Sequence, residues 1–142
     1  MTEENFSSYS FTVCNFSKGK FRGIDFSKSK LKLCFFHFAE FEDCSFLESD
    51  IKYSVFAGCT IKNCDFSHSD IVHCNFLGLD AADVDFNNSD LYYSNFTGSK
   101  LRNVHFVDCN LKKADFVKSD RTEVTFRYSN FEEARFEQDT PI

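Results

Sequence analysis

The chain has 142 residues and a net charge of −6, with 42% hydrophobic and 27% charged residues, 20 phenylalanines, seven cysteines and one proline. That length suits one domain, and the acidic balance disfavours direct nucleic-acid binding because an acidic surface repels phosphate. No run approaches the roughly 18 apolar residues of a membrane span, and Met1-Thr2-Glu3-Glu4-Asn5 is acidic where a signal peptide is basic and then apolar, so a cytoplasmic protein with no membrane contact is expected.

From Phe6 to Phe136 every tenth residue is phenylalanine, and the positions midway between are nearly all large and apolar: Phe11, Phe21, Leu31, Phe41, Ile51, Ile61, Ile71, Leu91, Leu101, Leu111, Phe131. The chain is therefore a five-residue repeat with 27 consecutive centres. A period of five fits neither the 3.6 of a helix nor the 2 of a flat strand, so each unit is a piece of a solenoid. Units read small, polar, large apolar, polar, polar, as in Ser69-Asp70-Ile71-Val72-His73 and Cys74-Asn75-Phe76-Leu77-Gly78.

This pattern resembles the pentapeptide-repeat family, whose motif is commonly written A(D/N)LXX. The resemblance implies an all-β fold, a right-handed quadrilateral parallel β-helix of about seven coils, with repeats over residues 4–138 of a single domain spanning 1–142. Four units make one square coil, the small and large apolar residues pointing inward and the other three outward. Each face is named here by its first centre. The Phe6 face carries every twentieth residue from Phe6 to Phe126 and the opposite Phe16 face those from Phe16 to Phe136, so two aromatic ladders meet across the axis and hold 14 phenylalanines. Leu and Ile hold most of the centres of the two remaining faces taken together, and at about 4.8 Å per coil the rod is roughly 33 Å long.

Taken in chain order, the exceptions are local. Glu4 and Tyr9 fill slots that elsewhere are small, as expected of an end cap. Cys14, Cys34, Cys44, Cys59, Cys64, Cys74 and Cys109 all lie two residues before a centre, where they read as small core filler; an odd count argues against a disulfide framework, and their spacing offers no tetrahedral zinc site. Phe35 and Phe38 alone among the phenylalanines fall outside the core register. At Leu79-Asp80-Ala81 large and small have exchanged places with volume roughly conserved. Arg121 is the last centre of its column and is expected to turn its guanidinium toward solvent. The tail ending Asp139-Thr140-Pro141-Ile142 reads as disordered.

Nothing in the pattern points to catalysis, a cofactor or a metal. The inward column Ser29, Ser49, Ser69, Ser89, Cys109, Ser129 has no inward histidine to act as base and reads as bonded to backbone between coils. His37, His68, His73 and His105 occupy outward slots scattered over three faces. Asp or Asn before a centre is part of the family motif and reads mainly as a turn-forming acceptor.

Two surfaces remain as partner sites. Outward acids concentrate on the Phe6 face and the corner leading into it. There the resemblance extends to the quinolone-resistance proteins of the Qnr and MfpA type, which resemble DNA and bind gyrase; it implies DNA gyrase as partner and Asp43, Asp65, Asp83, Asp85, Asp108 and Glu123 as contacts. The Phe16 face and its corners present an apolar strip, Phe35, Phe38, Val55, Leu77, Tyr53 and Tyr93, beside Gly58, Gly78 and Gly98, which reads as a contact with a second copy of the chain or with another protein in a general interaction scaffold.

Overall fold

The computed structural model describes residues 4–137, so the tail Asp139-Thr140-Pro141-Ile142 lies outside the described residues. Eight parallel strands form in chain order: β1 (Ser10–Thr12), β2 (Lys20–Arg22), β3 (Lys30–Lys32), β4 (Glu40–Glu42), β5 (Thr60–Asp65), β6 (Asp80–Asp85), β7 (Lys100–His105) and β8 (Asp120–Thr125). Strands β1 and β3 pair on the Phe11 face, and β2-β4-β5-β6-β7-β8 form a six-stranded sheet on the Phe21 face. Every pairing is offset by 20 residues, from Phe21↔Phe41 to Leu101↔Arg121. The Phe6 and Phe16 faces carry single bridges with the same offset, such as Asn5↔Asp25 and Asn15↔Phe35. The chain is thus a quadrilateral parallel β-helix of between six and seven coils. Among the described residues, no helix is long and apolar enough to cross a membrane.

The core is the two phenylalanine ladders. Along the axis, rings from Phe26 to Phe126 and from Phe16 to Phe136 stack at 4.5–5.2 Å between centroids. Across the axis the ladders meet edge to face, from 6.4 Å and 87° for Phe46–Phe56 to 5.2 Å and 84° for Phe116–Phe126. A phenyl ring favours both geometries, because its negative face accepts a neighbour's positive edge. Leu79 and Ala81 are both fully buried, as expected of an exchange of large for small.

Backbone groups are satisfied by two side-chain ladders. Ser49, Ser69, Ser89, Cys109 and Ser129 donate to the carbonyls of Phe26, Phe46, Phe66, Phe86 and Phe106, 23 residues earlier, at 2.6–3.0 Å. Serine and cysteine are interchangeable in this slot because each supplies one small donor. Asp or Asn before a centre accepts the N–H two residues on, as Asp25 does from Ser27 (2.8 Å) and Asn95 from Thr97 (2.8 Å), fixing the corner as a turn. On the Phe21 face β5 to β8 run on through the corner, and Asp80 pairs with Arg102 at 2.8 Å.

Every residue two places after a centre, from Ser8 to Glu133, has φ between 51° and 69°, and four of these are glycines. The remaining left-handed corners, Val13 and Leu33 among them, carry side chains that disfavour this geometry by about 1–2 kcal/mol each. The square coil demands it, and burial of the ladders offsets it.

Arg121 departs from expectation. Its side chain is only 11% exposed. The guanidinium folds over the open end of the core, 5.2 Å above the Phe136 ring, with Nη1 donating to Ser119 Oγ (3.0 Å) and the Phe116 carbonyl (3.4 Å) and Nη2 4.0 Å from Glu137. A solenoid end exposes ring faces and unpaired carbonyls, which a planar cation covers better than water does. Tyr9 covers the other end, edge-on to Phe6 at 5.5 Å.

Two outcomes follow from this core. Phe86, stacked between Phe66 and Phe106, is fully buried, so Phe86→Ala should lower the unfolding free energy by about 3–5 kcal/mol, and Phe136→Ala at the half-exposed end by less than half as much, measured by urea denaturation. Burial pushes the thiols of Cys59 and Cys74 up to about 12 and that of Cys109 to about 11. Cys34 is also raised by burial, and Cys64 by its hydrogen bond with Cys44 and by burial. Cys44 is shifted the other way, lowered by its hydrogen bond with Cys64, and is shielded by burial alone. A disulfide-exchange reagent at pH 8 should therefore label half-buried Cys14 readily in the folded protein and the other six cysteines only on unfolding, five through raised thiols and burial and Cys44 through burial. Fast labelling of any of those six would contradict the packing.

Candidate functional site

Among the described residues the inward slots are filled by core side chains, which leaves the three outward columns of each face as candidate contact surface. On the Phe16 face these columns are free of Asp, Glu, Lys and Arg through four successive coils, 33–38, 53–58, 73–78 and 93–98. Phe38 is 65% exposed, Tyr93 54%, Tyr53 47% and Leu77 46%, with Phe35 and Val55 half-buried between them. All six apolar residues expected from the sequence therefore share one face and its two corners, Tyr53 and Tyr93 on the leading corner and Phe38 on the trailing one. Tyr53, His73 and Tyr93 form a surface stack with centroids 5.3 and 4.9 Å apart, and Tyr92 meets His73 edge-on at 5.5 Å. Phe35 stacks on His37 at 6.0 Å.

The trailing corner adds a contact that the repeat pattern does not reveal. Phe38 lays its ring over the backbone of Gly58 in the next coil, so closely that a methyl group there would come within 2.6 Å of the ring. The signal for it is the run of glycine at one slot, Gly58, Gly78 and Gly98. Charges close the face at both ends, with Lys18 before it and the Asp115–Arg135 pair (3.0 Å) and Lys113–Glu133 pair (3.9 Å) after it.

The acidic surface is split. Asp43, Asp65, Asp83 and Asp85, joined by Asp25, line one shallow depression with Gly23, Ser45 and Asn63 and no cationic side chain. Glu123 stands on the same corner as Asp43 and Asp83 but beyond the depression, and Asp108 on the far corner of the Phe6 face, so neither joins the other four. Part of this charge is already engaged. Asp65 and Asp85 accept the turn N–H groups of Ser67 (2.8 Å) and Asn87 (2.7 Å), while Asp43 and Asp83 each accept from an amide of the next coil, Asn63 and Asn103, at 2.7 Å. Alternation of acid and amide along this corner leaves every second coil uncharged.

His37 and His73 belong to the surface stacks, and no group of three or more metal-ligating side chains converges among the described residues.

The family profile "Pentapeptide repeat region" matches residues 63–136, and "Pentapeptide repeats (8 copies)" matches residues 10–46. No curated protein sequence matches significantly. Among solved structures, trypsin-treated QnrB1 (R167E), a plasmid-mediated fluoroquinolone resistance protein, aligns with a TM-score of 0.63 at 20% identity over 96% of this chain and 76% of that one. Rfr23, a pentapeptide repeat protein from the cyanobacterium Cyanothece 51142, aligns at 0.36 and 11% identity over 96% and 90% of the two chains. A pentapeptide repeat protein of the Arabidopsis thaliana thylakoid lumen aligns at 0.38 and 13% identity over 79% and 68%. With the five-residue register unbroken from Phe6 to Phe136, and a repeat profile covering more than half of its length, the chain belongs to the pentapeptide-repeat family.

Proposed function

We propose that this chain is a non-catalytic protein-binding module that engages its partner through the Phe16 face. The observation that carries this reading is four consecutive coils of surface without one formal charge, beside a phenylalanine left two-thirds exposed. Removing the exposed part of Phe38 from water would contribute about 3 kcal/mol to a complex. A square coil filled by its own side chains leaves no interior site for a small substrate.

The test is comparative capture. The Phe35→Ser, Phe38→Ser double variant should retain the wild-type unfolding free energy within about 1 kcal/mol, since neither ring lies in the core, yet lose proteins that the immobilised wild type retains from a lysate at high salt. Identical retention by the two would sink this reading.

The five aspartates gathered in one depression without a cation favour a second reading, a DNA-mimicking contact with DNA gyrase that confers quinolone protection. The likeness of fold to a fluoroquinolone resistance protein supports it. Because Asp65 and Asp85 also hold turns, the informative variant combines Asp65→Asn and Asp85→Asn, which keep the turn acceptor, with Asp43→Lys and Asp83→Lys, in the slot two places after a centre where Lys18 and Lys28 show on other corners that lysine is accommodated. Inhibition of gyrase supercoiling by the wild type should weaken as salt rises and vanish in the fourfold variant. No effect of the wild type at stoichiometric excess would dispose of this reading and leave the first intact.

A further inference from the structure

The Phe16 face is bordered by two ladders with the same pitch. Its leading corner carries the rings Tyr53, His73 and Tyr93, and its trailing corner carries Gly58, Gly78 and Gly98, each glycine in the same coil as the ring five residues before it. The backbone does not require glycine there. The same corner slot is held by Lys18, Phe38 and Lys118 at φ of 58–63°, against 67–69° for the three glycines. Their consequence is a bare strip. A methyl group at Gly78 or Gly98 would have nothing within 4 Å, whereas at Gly58 the strip is already covered by the Phe38 ring. The protein itself thus shows what this strip accepts, an aromatic ring packed against a glycine backbone, and leaves two such places open.

We propose that the Phe16 face binds a second copy of this chain in a parallel, side-by-side pair. This inference rests on the reading of that face as the interaction surface and names its occupant. A two-fold axis parallel to the rod sets each coil against the same coil of its mate and reverses the lateral order of columns. The ring corner of each copy then lies over the glycine corner of the other, coil for coil, and the contact is made twice, as an isologous interface requires. His73 and Tyr93 of the second copy cover Gly78 and Gly98, and Tyr53 packs against the ring of Phe38. Between the corners, Val55 meets Ala57 and Asn75 meets Leu77, so that no charged side chain is desolvated. The contact ends at the coil of Phe96, because one coil further on Lys113 would face Lys118 of the mate.

The area suffices. With 7304 Å² of accessible surface spread over 27 units, four units expose on the order of 1,000 Å², comparable to the roughly 800 Å² per partner of a stable interface. An antiparallel pair would set Tyr93 against Leu33 and Gly98 against Phe38, leaving the ring ladder without the glycine ladder.

Sedimentation velocity of the full chain from about 1 to 100 µM tests the pairing, because a micromolar dissociation constant falls inside that range. The wild type should dimerise, and Gly78→Lys with Gly98→Lys, which fills the strip with a side chain this corner holds at Lys18 and Lys118, should weaken the dimer about tenfold or more without altering the circular dichroism spectrum. For orientation, Tyr93→Cys with Gly98→Cys in a Cys14→Ser background should oxidise to a covalent dimer under conditions where Tyr93→Cys alone does not. A wild type that stays monomeric at the highest concentration overturns the proposal, as does a dimer indifferent to the two lysines. If the wild type is monomeric while Phe35→Ser, Phe38→Ser still abolishes capture of a foreign protein, the interaction face stands and the second copy is not its occupant.

Discussion

Everything in this molecule depends on ring stacking at the pitch of a β-ladder. Neighbouring coils of a parallel β-helix are held about 4.8 Å apart by backbone hydrogen bonds, and phenyl rings stack at almost the same distance. Phe46–Phe66 at 4.5 Å and Phe86–Phe106 at 5.1 Å need no side-chain rearrangement to meet both demands. Edge-to-face contact across the axis then sets the thickness of the rod, because two stacked ladders leave room for one ring width and no more. Once the inward slots are committed, the outward columns have almost no folding duty. A change at Leu77 or Tyr93 alters what the surface offers and leaves the helix standing.

The polar side chains divide by the same logic. A square coil exposes more backbone groups at its corners than its strands can pair, and these must be satisfied locally. Asp25, Asp65 and Asp85 accept turn N–H groups while Ser49, Ser69 and Ser89 return a donor to the carbonyls of the coil before. Aspartate content therefore overstates the binding charge of the surface. One oxygen of Asp65 or Asp85 serves the turn and the other faces outward, and the corner acids Asp43 and Asp83 share theirs with asparagine. The apolar face carries no such double duty, which makes its composition the clearer statement of use.

The inward residues were legible in the five-residue period alone, and coil number and face assignment became legible once the resemblance to the pentapeptide-repeat family supplied four units per coil. The exchange of Leu79 for Ala81 was legible from the period too, as a conserved volume within one unit. Arg121 was not. Its place at the end of a column is visible, but whether a terminal cation turns outward or folds back depends on the half-exposed Phe136 ring and on Ser119 Oγ and the Phe116 carbonyl as acceptors, which are features of the finished end. The left-handed corners were equally hidden, because no residue type marks them; Val13, Phe38 and Tyr93 all adopt a geometry that glycine would accept more readily. Grouping of the acids was legible only to the level of a face. The sequence places Asp108 beside Asp85, and only the corner between them shows that they point apart.

A surface with a constant pitch poses a particular problem for recognition. Sliding any partner along the rod by one coil restores nearly the same backbone shape, so a uniform face would bind in several registers with little difference in free energy. Specificity must come from whatever breaks the period. On the Phe16 face three features do so: Phe38 covers one glycine and leaves the next two bare, Tyr92 braces the stack at its His73–Tyr93 end, and ion pairs begin abruptly at Asp115. For the second copy proposed above, a one-coil slip would set Lys113 over Gly98 in one direction or Tyr93 over Lys118 in the other, bringing a charge into an uncharged contact either way. For a partner docked on the proposed face, the irregular positions of this otherwise monotonous chain would therefore set the register, and the repeat holds them at fixed distances from one another.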